Sequence, residues 1–320
     1  MESISSQELA LEEWEIRSLQ RIEPRYQVLS LRNQAGTPID ESALAAELAR
    51  VEGREGIKSL IIEPSSRVTN LRFLQALPGL ETLNLNGLQL RSLEGLEWFR
   101  QGRFIKVDTG TNRKRSIAQI AAAPVAKLIL HWAGPGDLEA VAGSRTIREL
   151  TVSNCPPLSF ERWRGVPLES LSLFDGAIDV LADTAQLPGL KKLTLFGCRK
   201  LERFAGENSA IEWMVIQQCS RLDLRTIATC GQLAYLTVMG NKTETPLSAF
   251  AALGRLRSLS LQDCKVQLDV TNLKRTAAQL EELVITGLKK DQVAELSLAN
   301  SGVMVSNGRW SYMDGTPVNG

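Results

Sequence analysis

The sequence predicts an α/β solenoid, in which short parallel strands are stacked by a repeat and joined by brief helical turns. Three observations carry that prediction. First, the pattern L-x-x-L-x-L starts at Ile57, Leu80, Gly102, Val125, Ile147, Leu168, Leu190, Ile211, Leu233, Leu256 and Leu280, in steps of 21 to 24 residues. Second, the fourth and sixth residues of each copy are apolar with variable residues between them, the period of two that a half-buried strand requires. Third, a small residue recurs at the ninth position, as in "LKKLTLFGCRKLERF" (190–204), "IRELTVSNC", "IEWMVIQQC" and "LRSLSLQDC". A fixed period of this size marks stacked units that bury their apolar faces only against one another.

The motif L-x-x-L-x-L-x-x-(N/C)-x-L resembles that of the leucine-rich repeat family, and the resemblance covers roughly residues 26 to 305. It implies a horseshoe with a parallel concave β-sheet and short helical or 3-10 turns on the convex side. Similar repeats occur in plant disease-resistance receptors and in bacterial proteins. The ninth position is held by Cys155, Cys198, Cys219, Cys264 and Asn241; other copies place Ser65, Leu88, Gly110, Ala133, Gly176 or Leu288 there, so the array is irregular. After this position the chain turns inward and leaves backbone groups without sheet partners. A buried asparagine bonds such groups well, and cysteine is a small residue that tolerates burial. These five are therefore read as structural inner-turn residues. The competing reading, a metal or redox site from Cys198 and Cys219, lacks the further ligands that zinc demands. Cys230 falls outside the column, in a return segment.

The elements are expected in this order. Residues 1–56 form an N-terminal cap with a first irregular repeat around "YQVLSL" (26–31). Ser5 with Glu8 reads as a helix capping box, with Leu9, Trp14 and Leu19 on an apolar face, and Asp40 reads as the N-cap of a helix carrying Leu44, Leu48 and Val51. Residues 57–301 hold about eleven repeats, whose return segments end near Gly or Pro and are long enough for one or two helical turns. Residues 302–320 form a closing strand and hairpin, with turns at Asn307-Gly308 and Asp314-Gly315 and with Trp310 and Tyr312 on one face.

Composition narrows the function classes. In 320 residues, 43% are hydrophobic and 23% charged, with a formal net charge of +1. That balance gives no argument for nucleic acid or an anionic membrane, and no run of 18 apolar residues suggests a membrane span. Five cysteines without a C-x-x-C pair, and a start without a basic n-region, point to a reducing, cytoplasmic setting. The sequon at Asn241 falls on an inner-turn position and is read as accidental. With one histidine and none of the common hydrolase, metalloprotease or phosphate-loop motifs, no enzyme activity and no cofactor or metal are expected.

Binding residues are sought on the strand positions that the core does not use. Position seven carries His131, Phe174, Phe196 and Met239; position three carries Phe104, Lys192, Trp213 and Tyr235; position eight adds Trp132 and Asp175. Aromatics are scarce in this chain (eight Phe, six Trp, three Tyr), so Phe174, Phe196, Trp213 and Tyr235 in four consecutive repeats form an informative cluster. Asp175 and Lys192 supply a polar rim. The expectation is a monomer that takes a protein partner on its concave face, as a binding scaffold, and in one form as a stoichiometric inhibitor or an immunity protein neutralising a toxin. The resemblance also implies an alternative, a recognition module of a signalling, ubiquitin-ligase or effector system. A basic run, Arg100, Arg103, Lys106, Arg113, Lys114 and Arg115, is a second candidate contact, with its last three residues read as a solvated loop.

Overall fold

A computed structural model describes residues 7–36, 40–110, 115–207, 210–270 and 272–318. The chain divides into two compact units, Met1–Ser153 and Asn154–Gly320.

The first unit is a sheet of seven parallel strands in chain order: β1 (Gln7–Glu12), β2 (Tyr26–Arg32), β3 (Ser59–Ile62), β4 (Thr82–Leu85), β5 (Phe104–Val107), β6 (Lys127–His131) and β7 (Glu149–Ser153). The register carries the repeat directly, since Ser59, Thr82, Phe104, Lys127 and Glu149 stand side by side. Positions four and six, from Leu60 and Ile62 to Leu150 and Val152, are buried. Each such side chain contributes about 1.5–3 kcal/mol of burial. Short 3-10 turns, Arg72–Ala76, Leu96–Trp98 and Ala118–Ala122, fill three of the returns. The helix α1 (Glu41–Arg50) starts where Asp40 accepts from the Ser42 and Ala43 amides, and buries Leu44, Ala45 and Leu48. The return after β6 is a full helix, α2 (Pro135–Ala142).

The N-terminal segment differs from the expectation. Ser5 lies outside the described residues, and Glu8 lies in β1, paired alongside β2. Half-buried Leu9 and Leu11 alternate with exposed Glu8 and Ala10, a strand period, and this wins over the weak capping signal. Trp14 is exposed, while Ile16 and Ile22 make the apolar contact instead. Buried Glu13 ties the segment down by accepting from Asn33 Nδ2 (2.7 Å), the Arg67 amide (2.9 Å) and the Ser66 hydroxyl.

In the second unit the parallel ladder is formed by β8 (Ser170–Phe174), β10 (Lys192–Phe196), β12 (Trp213–Gln217), β13 (Tyr235–Met239), β15 (Ser258–Gln262), β17 (Glu282–Ile285) and β18 (Met304–Ser306). Its returns hold two small parallel pairs, β9 (Val180–Leu181) with β11 (Arg203–Phe204) and β14 (Thr245–Pro246) with β16 (Val266–Gln267). The helix α3 (Lys290–Ala299) precedes β18. Two antiparallel strands, β19 (Ser311–Met313) and β20 (Thr316–Pro317), follow. Asp314 (φ 50°) and Gly315 (φ 73°) make the two-residue turn between them, with the paired positive φ values that a tight hairpin needs. Tyr312 is buried, and Trp310 lies just before its strand, half-buried.

Candidate partner-binding face

Every residue at positions three, five and seven points away from the apolar core. In the second unit, β8, β10, β12, β13 and β15 present fifteen such residues, and Lys192 is the one that carries a charge. The five repeats from β3 to β7 in the first unit present Glu63, Lys106, Asp108, Lys127 and Glu149 at the same positions. Loss of charge together with Trp, Tyr, Phe and Met is the composition of interface cores.

The register sorts the expected residues into two rows. Lys192, Trp213 and Tyr235 are neighbours across the strands at position three, and Phe174, Phe196, Gln217 and Met239 are neighbours at position seven. Four residues of extended chain hold the rows about 13 Å apart. The sequence suggested one patch; the structure gives two rows with a middle column between them. That column, Ser172, Thr194, Val215, Thr237 and Ser260 at position five, was missed because its residues are small and uncharged and give no aromatic signal.

The rows differ in exposure. Trp213 and Tyr235 keep 48% and 46% of their surface exposed, while Phe174, Phe196 and Met239 are half-buried. The Phe174 and Phe196 rings lie 5.8 Å apart between centroids and tilted by 36°, so they shelter one another. Lys192 Nζ stands 5.4 Å from the Trp213 ring centre, a cation–π contact. Asp175 lies at the exposed edge beyond Phe174, and its carboxyl sits where a side chain on Gly197 would reach.

Position eight has a conformation of its own. Asn154, Asp175, Gly197, Gln218, Gly240, Asp263 and Gly287 in the second unit all have positive φ. The first five of these each donate their amide to a position-seven carbonyl of the next strand, as in Asp175 N to Phe196 O at 2.8 Å. Left-handed backbone favours glycine and, next, asparagine and aspartate, which is the composition found. In the first unit Trp132 takes this conformation with φ 55° and is 49% exposed. A bulky residue there is an outlier. It is held by Arg115, whose Nη2 donates to the His131 carbonyl (2.9 Å), the Trp132 carbonyl (3.2 Å) and Asp137 Oδ2 (3.1 Å), and whose Nη1 donates to Thr109 Oγ1 (2.5 Å).

That arrangement corrects the reading of the basic run. The Arg115 side chain is 4% exposed and paired with buried Asp137, so it is a structural clamp and not part of a solvated loop. Arg103 pairs with Glu81, and Arg100 lies over Trp98. Lys106 stands on the sheet face at position five. Arg113 and Lys114 lie outside the described residues. His131 and Phe104 are half-buried on the first unit's sheet face.

At the ninth position the asparagine and the cysteines turn inward, whereas Ser65 and Leu88 at the same position of the first unit are exposed. Asn241 donates from Nδ2 to the Cys219 and Leu222 carbonyls (3.1 and 2.9 Å) and accepts from the Thr243 amide (2.9 Å). Cys198 Sγ donates to the Leu173 and Phe196 carbonyls, and Cys264 Sγ to the Val238 and Gln262 carbonyls. Cys155, Cys198, Cys219 and Cys230 are buried and Cys264 is half-buried. Burial pushes the Cys155 and Cys230 thiols up to about 12. A hydrogen bond to Cys198 and burial together raise Cys219. Among the described residues no three His, Cys, Asp or Glu side chains gather as a metal site, and no helix is long and apolar enough to cross a membrane.

No protein-family model and no curated protein matches the sequence. Among solved structures, the chain is similar to an internalin, InlF, from Listeria monocytogenes, at TM-score 0.52 and 15% identity, over 92% of this chain and 88% of that one. It is also similar to the functional domain of InlJ from Listeria monocytogenes, which includes a cysteine ladder (TM-score 0.44, 12% identity, 86% and 71% covered). TLR13 in complex with ssRNA13 gives TM-score 0.48 at 12% identity, over 92% of this chain and 59% of that one. The parallel ladder, the buried fourth and sixth positions and the likeness to the internalin together show that the chain has the leucine-rich repeat fold.

Proposed function

We propose that the chain is a non-enzymatic protein-binding scaffold, and that its partner seats on the uncharged aromatic sheet face of the second unit. The observation that carries this is the contrast between the two units: one charge in fifteen face positions where the equivalent positions of the first unit hold five. Trp213 and Tyr235 supply large, exposed, rigid anchors on neighbouring strands. Half-buried Phe174, Phe196 and Met239 supply apolar surface that a partner would finish covering. A nucleic-acid backbone needs several cations, and this face offers Lys192 alone.

The test is capture from lysate of the native source, with the wild-type chain beside Trp213→Ala/Phe196→Ala and beside Trp132→Ala. Losing a central anchor costs on the order of 2 kcal/mol or more, about thirty-fold in affinity. One protein retained by the wild type and by Trp132→Ala, and lost by the double variant, supports the reading. Equal recovery on all three baits refutes it. The inhibitor form of the reading, an immunity protein included, is tested by titrating the captured partner's own activity, which falls to zero at one-to-one stoichiometry.

A further inference from the structure

Resting on that reading, we infer that the partner is a protein whose apolar patch is bordered by carboxylates, and that these seat on a row of cations along one edge of the second unit. The row lies just past the position-seven rim of the face. Position ten, the first residue after each inner-turn side chain, carries Arg199, Lys242, Lys265 and Lys289. Position eleven carries Lys200, Arg221 and Lys290. Across the five repeats that start at Leu190, Ile211, Leu233, Leu256 and Leu280, seven of these ten positions are therefore basic and none is acidic. Ten positions drawn at the chain's own frequency, 37 Lys and Arg in 320 residues, would hold about one.

The turns keep the register of the strands, which makes these residues a row. The Lys242 amide donates to the Ser220 carbonyl (3.3 Å), one position-ten backbone to the next, and the Thr245 amide donates to the Lys265 carbonyl (2.9 Å). At about 4.8 Å per repeat the row runs about 19 Å, alongside Phe196, Gln217, Met239 and Gln262. All seven basic residues are exposed. Among the described residues none of them stands in an ion pair; the second unit forms its pairs elsewhere, as between Lys191 and Glu212 and between Arg225 and Asp223.

The interleaved acids decide which anion fits. Glu202, Asp223, Glu244, Asp263 and Asp291 each lie within two residues of a member of the row. A nucleic-acid backbone or an anionic lipid surface presents phosphates without interruption, and meets those carboxylates as repulsion at every repeat. A protein surface places single carboxylates opposite single cations and neutral groups opposite the acids. Single-stranded nucleic acid also stacks its bases on aromatic rings. Here the exposed rings, Trp213 and Tyr235, stand at position three on the far side of the face, while Phe174 and Phe196 shelter one another. Exposed pairs at the border of an interface act on the encounter, raising the association rate and its salt dependence more than they slow dissociation.

Carbodiimide coupling and salt-dependent kinetics test this with the full chain in lysate of the native source. Carbodiimide joins a carboxylate to a lysine amine in contact with it, forming an amide with loss of water. The baits are wild type, Trp213→Ala/Phe196→Ala, Lys242→Gln/Lys265→Gln/Lys289→Gln, Lys242→Arg/Lys265→Arg/Lys289→Arg, and Arg255→Gln/Arg257→Gln/Arg275→Gln, which removes three exposed charges away from the row. The inference expects one protein, lost by the aromatic variant, that couples through Asp or Glu to Lys242, Lys265 or Lys289 of the wild type. Its association slows about ten-fold with the Lys→Gln variant, and about ten-fold when salt rises from about 50 to 300 mM. Its dissociation, and both rates with the Lys→Arg and Arg→Gln variants, stay within about two-fold of wild type. A partner lost by the aromatic variant yet indifferent to salt and to the Lys→Gln variant would overturn the acidic border and leave the protein-binding face standing. A mixed-sequence single-stranded oligonucleotide, or vesicles containing phosphatidylserine, bound by the wild type and released by the Lys→Gln variant while protein capture is unchanged, would assign the row to phosphate and overturn it too. Dependence on the row without dependence on the aromatic pair, or no protein retained by the wild type, would overturn both the face and its border.

Discussion

Replacing Arg115 by methionine keeps its length and removes its charge and donors. In the folded first unit Arg115 makes four hydrogen bonds, to Thr109, the His131 and Trp132 carbonyls and Asp137, with side-chain exposure of 4% for Arg115 and 8% for Asp137. Removing one member of a buried pair costs about 3–5 kcal/mol, because the other loses its counter-charge; Asp137 is left with the Gly134 amide at 2.8 Å. The two carbonyls are left short of a donor as well, which keeps the cost toward the upper half of that range. Urea denaturation followed by circular dichroism reads this as a lower midpoint. Arg115→Met combined with Asp137→Leu removes both charges, and its cost falls below the sum of the single substitutions by about 2 kcal/mol or more. Lys127→Ala, which breaks an ion pair whose side chains are 49% and 55% exposed, is the control at about 0.5 kcal/mol. An Arg115→Met cost equal to the Lys127→Ala cost, or strict additivity in the double variant, would show that the clamp is a surface contact after all.

Three further predictions follow from the inner turns. Asn241→Ala removes three hydrogen bonds, two of them fully buried, and lowers stability by about 2–4 kcal/mol in a urea titration of the full chain. Gly197→Ala forces a side chain onto φ 65° and against the Asp175 carboxyl, and costs about 1–2 kcal/mol in the same assay, whereas Gln218→Gly at the equivalent place is neutral or stabilising. For the Cys155 and Cys230 thiols the folded pKa is raised, so the folded state holds these protons longer than the unfolded chain. Stability from Cys155 and Cys230 is therefore intact below about pH 9 and declines up to about pH 12, by as much as 1.4 kcal/mol or so per pH unit for each thiol. A Cys155→Ala/Cys230→Ala variant has a flatter stability profile across that window, whatever its absolute stability.

The repeat was legible because its signal is redundant. From Leu60 to Ile285 the fourth and sixth positions are apolar and buried in every copy, and each strand begins two residues after the start that the motif gave. Where copies are not redundant, sequence reasoning did less well. β1 carries only Leu9 and Leu11 as an alternating pair, and its identity as a strand rests on the neighbour it pairs with. Arg115 sits beside other basic residues in the chain, and nothing local says that its guanidinium reaches the Trp132 carbonyl. The column of Ser172, Thr194, Val215, Thr237 and Ser260 could have been read from the same alternation that named the rims, and the Gly/Asn/Asp bias at position eight could have predicted its left-handed backbone.

The most direct test of the proposed face is photo-crosslinking from its floor. A benzophenone amino acid is placed at Thr237, and in separate chains at Thr151 on the first unit's sheet face and at Arg225 in a return turn, and each is irradiated in native lysate. The account predicts one discrete crosslinked protein from position 237, competed away by unlabelled wild-type chain and not by Trp213→Ala/Phe196→Ala. A discrete, competable crosslink from position 151 or 225 with none from 237 would contradict it.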